Sequence, residues 1–270
     1  MFSPGNRGAD NGGMPFTASH PAAVLPLQRV GAPVSALVIG SLVPDLPYFL
    51  PVAPSAAQTH TLGGVLGANL LLGLAVFVVW HLWLAPPLLW AAPEDLQRRI
   101  PESLRGGLAD RLTTTADLVR VCVGLALGGL THIVWDAFTH AGMWGPRTFP
   151  WLSTPVFGLE LFRWLQHVST LVGLAVVGWY LLRWWRSAPL DGPAAPIPLR
   201  ASWTPVAAMA CFAAASAIST AVGVAAAPGR VSREGMAIEA TVTFLGTATA
   251  GLLLAATLWH VLAGTLRSDR

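Results

Sequence analysis

The 270-residue sequence has no lysine; all 16 of its basic residues are arginine. Charged residues make up only 11% of the chain, where a soluble domain carries about a quarter. That scarcity excludes an ordinary water-soluble globular domain. A formal net charge of +3 with no basic tract excludes nucleic acid as a partner. Cysteine is almost missing as well. Cys122 and Cys211 both fall inside apolar runs, which excludes a disulfide framework and a zinc-finger spacing. Residues 1–13 are rich in glycine and asparagine and lack a charged-then-apolar secretory pattern, so they are expected to be a disordered extension, with Met14 an alternative start. No internal repeat is visible, and proline breaks cluster near the N-terminus. This speaks against a transporter built from two related halves.

What is abundant is apolar, at 54% of residues. Spanning a bilayer takes about 20 such residues in a helix. Runs of that kind occur at Leu62–Leu84, Leu118–Ala141, Val168–Leu182 and about 203–227 and 238–262. Phe16–Leu50 is apolar too, but Pro21, Pro26, Gly31, Pro33, Pro44 and Pro47 interrupt it. It reads as two short helices, roughly 20–30 and 34–44, turning at Gly31-Ala32-Pro33; the alternative is one tilted span over about 33–51. The expectation is an all-α, polytopic membrane bundle of about five transmembrane spans plus a short N-terminal helical hairpin. Its segments are the extension 1–13, a membrane domain 14–186, a proline-rich linker 187–202 and a C-terminal two-helix membrane segment 203–270. Between the first two spans, residues 91–116 form the main charged segment, built around a leucine stripe, and read as an amphipathic interfacial segment. Membrane lipids are the expected partners. Arginine counts in the short loops place 85–117 in the cytoplasm of a multi-pass cell-membrane protein.

Within this apolar background, titratable residues stand out, because ionisable groups in a span are costly and mark function by default. His132, Asp136 and His140 recur every fourth residue, on one helix face. His132 and Asp136 lie about 6 Å apart along the axis, near enough to grip one ion together, whereas His132 and His140 lie about 12 Å apart. If the N-terminal segment folds back as a hairpin, His20 and Asp45 return to the same end, and His60 and His167 open their spans on that non-cytoplasmic side. Imidazoles and carboxylates are the ligands that zinc or a similar divalent ion takes. The pattern supports either two ions or one ion with His140 as acid/base. The alternative is a metal-free polar network locking helix packing, in a scaffold or small transporter.

Met14-Pro15-Phe16-Thr17-Ala18-Ser19-His20-Pro21-Ala22-Ala23, Gly40-Ser41-Leu42-Val43-Pro44-Asp45, Thr131 through His140 and Gln166-His167-Val168-Ser169 together resemble a bacterial multi-pass membrane family catalogued as domain of unknown function 4184. More distantly, the pattern of helix-borne histidine, Pro-Asp, His-Thr before a span and distal His-xxx-Asp is similar to the inner-membrane metal-dependent hydrolases. That resemblance implies a divalent metal, zinc being one such ion, held by His20, Asp45, His60, His132 and Asp136. It also implies hydrolysis of a phosphoester or lipid-like substrate at the membrane interface. His140 is the expected general acid/base, with His167 beside it in the catalytic set. The chain departs from the hydrolases at Gln58-Thr59-His60-Thr61, where one histidine stands in place of a pair.

Overall fold

The computed structural model describes residues 17–49, 54–192, 215, 218 and 233–268. The extension 1–13, the alternative start Met14 and the span expected near 203–227 lie outside the described residues, apart from two positions in the last. Pro21–Val24 (α1) continues through a 3-10 turn over Leu25–Val30 and reverses at Gly31, whose φ of 80° suits a residue without Cβ. Val34–Leu42 (α2) then runs back and passes through a 3-10 turn over Val43–Asp45 into a short helix at Leu46–Phe49. α1 and α2 make the folded-back hairpin, and the apolar stretch Val34–Phe49 is shorter than a span requires. Ala56–Thr59 (α3) is one turn, opened by a capping box between Ser55 and Gln58.

Among the described residues, four helices are long and apolar enough to cross a membrane: Leu62–Ala91 (α4), Thr115–Thr139 (α5), Leu161–Ser187 (α6) and Arg233–Ser268 (α7), the last through its segment Phe244–Val261. α5 begins where Thr114 and Asp117 exchange hydrogen bonds between side chains and backbone N–H groups. α6 starts seven residues earlier than its apolar run predicts. A small hairpin, Pro155–Val156 (β1) paired with Leu159–Glu160 (β2), leads directly into it. Trp164 Nε1 donates to the Val156 carbonyl at 2.8 Å and ties the hairpin to the first turn of α6. Only 11% of the most apolar window of α6 is buried within the protein. So apolar a surface facing outward fits lipid and not water.

The chain divides into two compact units. One holds the described residues of Met1–Pro47, Val52–Leu71 and Cys122–Trp179. Its centre is an unusually close crossing of α2 and α5. A Cβ on Gly128 would stand 2.2 Å from the Leu37 carbonyl oxygen, one on Gly40 2.3 Å from that of Leu125, and one on Gly124 2.9 Å from Ala36. Gly124 and Gly128 form the small-xxx-small step on which membrane helices approach backbone to backbone. Gly63 and Gly67, at the same spacing on α4, meet no other element among the described residues.

The other unit holds Tyr48–Pro51, Leu72–Val121 and Tyr180–Arg270, in their described residues. There α4 widens to a π-helical turn over Trp80–Leu84 just before Pro86-Pro87. Pro87 has no N–H to offer four residues back. The Trp83 carbonyl instead accepts from His260 Nε2 at 3.1 Å. His81 is buried in this turn against Phe77. Short helices at Glu94–Arg99, Glu102–Arg105 and Leu108–Arg111 make up the charged interfacial stretch.

Candidate metal centre

In the first unit, separate pieces of chain each deliver a polar side chain to one buried point. The turn that ends α2 contributes Asp45, wholly buried; the residue after α3 contributes His60; α5 contributes His132 and Asp136. His132 Nε2 stands 3.3 Å from Asp45 Oδ1 and 3.2 Å from Asp136 Oδ2. His60 Nε2 stands 3.3 Å and 3.4 Å from those same two oxygens.

The far nitrogens of both rings decide what this contact means. His132 Nδ1 lies 2.8 Å from the Ser41 carbonyl and His60 Nδ1 2.9 Å from the Ala56 carbonyl. A carbonyl oxygen only accepts, so each Nδ1 carries a proton and donates it. In the neutral imidazoles each Nε2 is therefore a bare lone pair, aimed at carboxylate oxygens that also carry lone pairs. Among the described residues, His132 Nε2 and Asp45 Oδ1 are buried without a hydrogen bond. Four inward-pointing lone pairs can stand together only around positive charge. Histidine that donates its outer N–H to a backbone carbonyl is also the usual arrangement of a metal ligand.

Spacing agrees. Ligand atoms held tetrahedrally about 2.0–2.1 Å from an ion stand about 3.3–3.4 Å from one another. Four of the six edges of such a set, the N···O separations, run from 3.2 to 3.4 Å here, and the ligand atoms as a group lie within 4.8 Å of one another. The two carboxylates draw positive charge, which an ion or a proton can supply. Burial opposes a proton on His60, but Asp136 and Asp45 outweigh it and raise the imidazole to about 9. Burial alone would raise Asp45; His132 and His60 instead hold it well below the ordinary carboxylate range.

The surrounding residues hold these groups in place. Asp45 Oδ2 accepts from the Thr17 hydroxyl. Thr59 donates to the Pro44 carbonyl at 2.7 Å, and Asn69 Nδ2 to the Thr59 carbonyl at 2.7 Å, locking the turn that carries His60 against the one that carries Asp45. Asn69, Thr17 and Thr59 were not singled out as site residues in the sequence. The one available signal was their polarity beside apolar runs.

Asp136 has a second oxygen facing away from this group. Its Oδ1 lies 3.7 Å from His20 Nε2 and 3.6 Å from His140 Nδ1. The His20 ring stacks on His132 with centroids 3.9 Å apart and planes 20° apart. Burial, and then the neighbouring His132, push His20 down to about 4. His140 Nε2 accepts from Gln166 Nε2 at 3.0 Å. The His140 side chain is 15% exposed, against 7% or less for His20, His60 and His132, so the group opens on that edge.

Of the seven residues expected from sequence, His20, Asp45, His60, His132, Asp136 and His140 therefore converge. His20 lies beside the four-ligand set and not within it. His167 does not join them: it is exposed on α6, and its neighbour Gln166 turns inward. The buried face of α6 runs through Phe162, Gln166 and Gly173, where a Cβ would stand 2.9 Å from the Ser19 carbonyl oxygen. His167 is about 100° around the helix from that face. The small residue at 173 was the signal that favoured Gln166.

The family model described as a domain of unknown function, DUF4184, matches residues 14–258. No curated protein and no solved structure matches the chain.

Proposed function

This chain belongs to the DUF4184 family, and from the geometry of its buried histidines and aspartates we propose a membrane-embedded hydrolase that depends on a divalent metal. One observation carries the reading. Two imidazoles, each committed by a backbone carbonyl to an Nδ1 proton, turn bare Nε2 atoms toward two carboxylate oxygens at tetrahedral spacing. Asp45, His60, His132 and Asp136 hold the ion. Two imidazoles and two carboxylates suit zinc and its divalent neighbours.

A divalent ion bound in this group with a place open to solvent would supply polarisation of a substrate oxygen and activation of water near neutral pH. The chain does the rest. Ser41 and Ala56 orient the imidazoles through their carbonyls, Thr17 holds the carboxylate of Asp45, and the packed α2–α5 crossing excludes water from the inner side. The reacting groups must approach from the edge lined by His20, His140 and Asp136 Oδ1. Lying among helices suited to lipid, that edge fits an amphiphile with a hydrolysable head, and the distant resemblance to metal-dependent hydrolases makes a phosphoester the class to test.

Protein purified in detergent should contain bound zinc or a comparable ion by elemental analysis. Asp136→Asn and His132→Gln, nearly isosteric, should lose it by about 10–100-fold or more in affinity while retaining helicity by circular dichroism. Cleavage of a chromogenic phosphodiester should disappear with the metal. Metal-free wild type, with both variants equally helical, would leave a packing network, the scaffold reading.

A further inference from the structure

The set of Asp45, His60, His132 and Asp136 Oδ2 offers four ligands, the full complement of a four-coordinate ion. A closed shell of that kind is the mark of a structural ion, whereas a catalytic ion keeps one place open. The inner ion is thus poorly placed to do the chemistry alone. The other oxygen of Asp136 is buried, makes no hydrogen bond among the described residues, and faces His20 Nε2 at 3.7 Å and His140 Nδ1 at 3.6 Å. We infer that Asp136 bridges two divalent cations, the inner one on Oδ2 and a second on Oδ1 together with His20 Nε2 and His140 Nδ1. The inference rests on the metal-dependent reading above and deepens it.

Three observations support it. The separations of 3.6–3.7 Å are those of ligands about 2.2 Å from a shared ion in tetrahedral array, the long end of the range for nitrogen and carboxylate ligands. His20 and His132 stack nearly parallel with centroids 3.9 Å apart, and both direct Nε2 at Asp136. Ions held in the planes of those two rings stand about as far apart as the rings. Two-metal sites are spaced by about 3.5–4 Å. Finally, the second set has three protein ligands and lies on the edge where His140 is 15% exposed, which leaves a place for water or a substrate oxygen.

His140 must change tautomer to serve. As Gln166 Nε2 now donates to His140 Nε2, the imidazole proton is on Nδ1, where Thr139 Oγ1 receives it at 3.1 Å. Turning the Gln166 amide by half a rotation presents its carbonyl oxygen instead. His140 then donates from Nε2 and frees Nδ1 for the ion. Gln166 is thereby a positioning residue for the second subsite.

The test is a titration of chelator-treated full-length protein in detergent with Mn(II), read as ions bound per chain and by electron paramagnetic resonance. Wild type should bind two ions whose spectrum shows exchange coupling through the shared carboxylate. His20→Phe, which keeps the ring stacked on His132, and His140→Gln should each bind one, with an uncoupled spectrum. One uncoupled ion in wild type, unchanged in both variants, would overturn the second subsite and leave the inner site standing. No ion at all in wild type would overturn both. Because the coupling is read in wild type, misfolding of either variant does not spoil the test.

Discussion

At the scale of single residues, the centre depends on side chains that never touch an ion. Thr59 is wholly buried, and its hydroxyl binds the Pro44 and Ala56 carbonyls at 2.7 and 2.9 Å. It thus joins the turn bearing Asp45 to the helix whose end bears His60. Replacing it with valine keeps the shape and removes both bonds. Thr59→Val is expected to weaken metal binding about 10–100-fold, the usual cost of losing an outer partner. Thr59→Ser should restore most of it, and competition with a metal-sensitive dye measures both. His132, Asp136 and His140 were legible as a ladder because helix periodicity is local. What the ladder could not tell was that Asp136 turns one oxygen to each histidine, for that depends on where Asp45, His60 and His20 arrive from elsewhere.

Among the elements, the decisive contact is the crossing of α2 and α5. It brings the Ser41 carbonyl within reach of His132 Nδ1, and glycines at 40, 124 and 128 permit it. Gly128→Ala puts a methyl group 2.2 Å from a backbone oxygen, which must yield. A loss of about 1–3 kcal/mol is expected from such overpacking, together with lost metal, since Ser41 moves away from His132. Gly63→Ala, at a position with nothing within 4 Å, should leave both unchanged. Thermal unfolding in detergent with parallel metal analysis distinguishes the two. The hairpin that brings His20 back beside Asp45 was readable from Gly31-Ala32-Pro33. The partner glycines were not, because glycine in an apolar run looks the same whether it meets a neighbour or open space. His167 and Gln166 teach a similar lesson. Adjacent residues of a helix point about 100° apart, and the histidine had the more conspicuous chemistry but the wrong direction.

For the whole molecule, the described helices make a membrane protein by length and composition, and the orientation expected from arginine asymmetry is open to test. Phe157, at the tip of the β1–β2 turn, is 94% exposed, and Ser187 ends α6. With Cys122 and Cys211 replaced by alanine, Phe157→Cys should react with an impermeant maleimide from outside intact cells, and Ser187→Cys only after permeabilisation. Reaction of both from the same side would reverse the assignment of the site to the non-cytoplasmic face.

The sequence by itself determined the class of molecule, the breaks that interrupt its N-terminal segment and the recurrence of titratable groups, because hydropathy, proline breaks and helix periodicity are local properties of the chain. Only the tertiary structure decided which atoms meet. The backbone carbonyls of Ser41 and Ala56 set the imidazole tautomers, close-packed glycines set the distance, and chain segments remote in sequence divide the oxygens of Asp136 between two groups of histidines. Such choices depend on contacts of a few ångströms between distant residues, and no spacing along the chain encodes them.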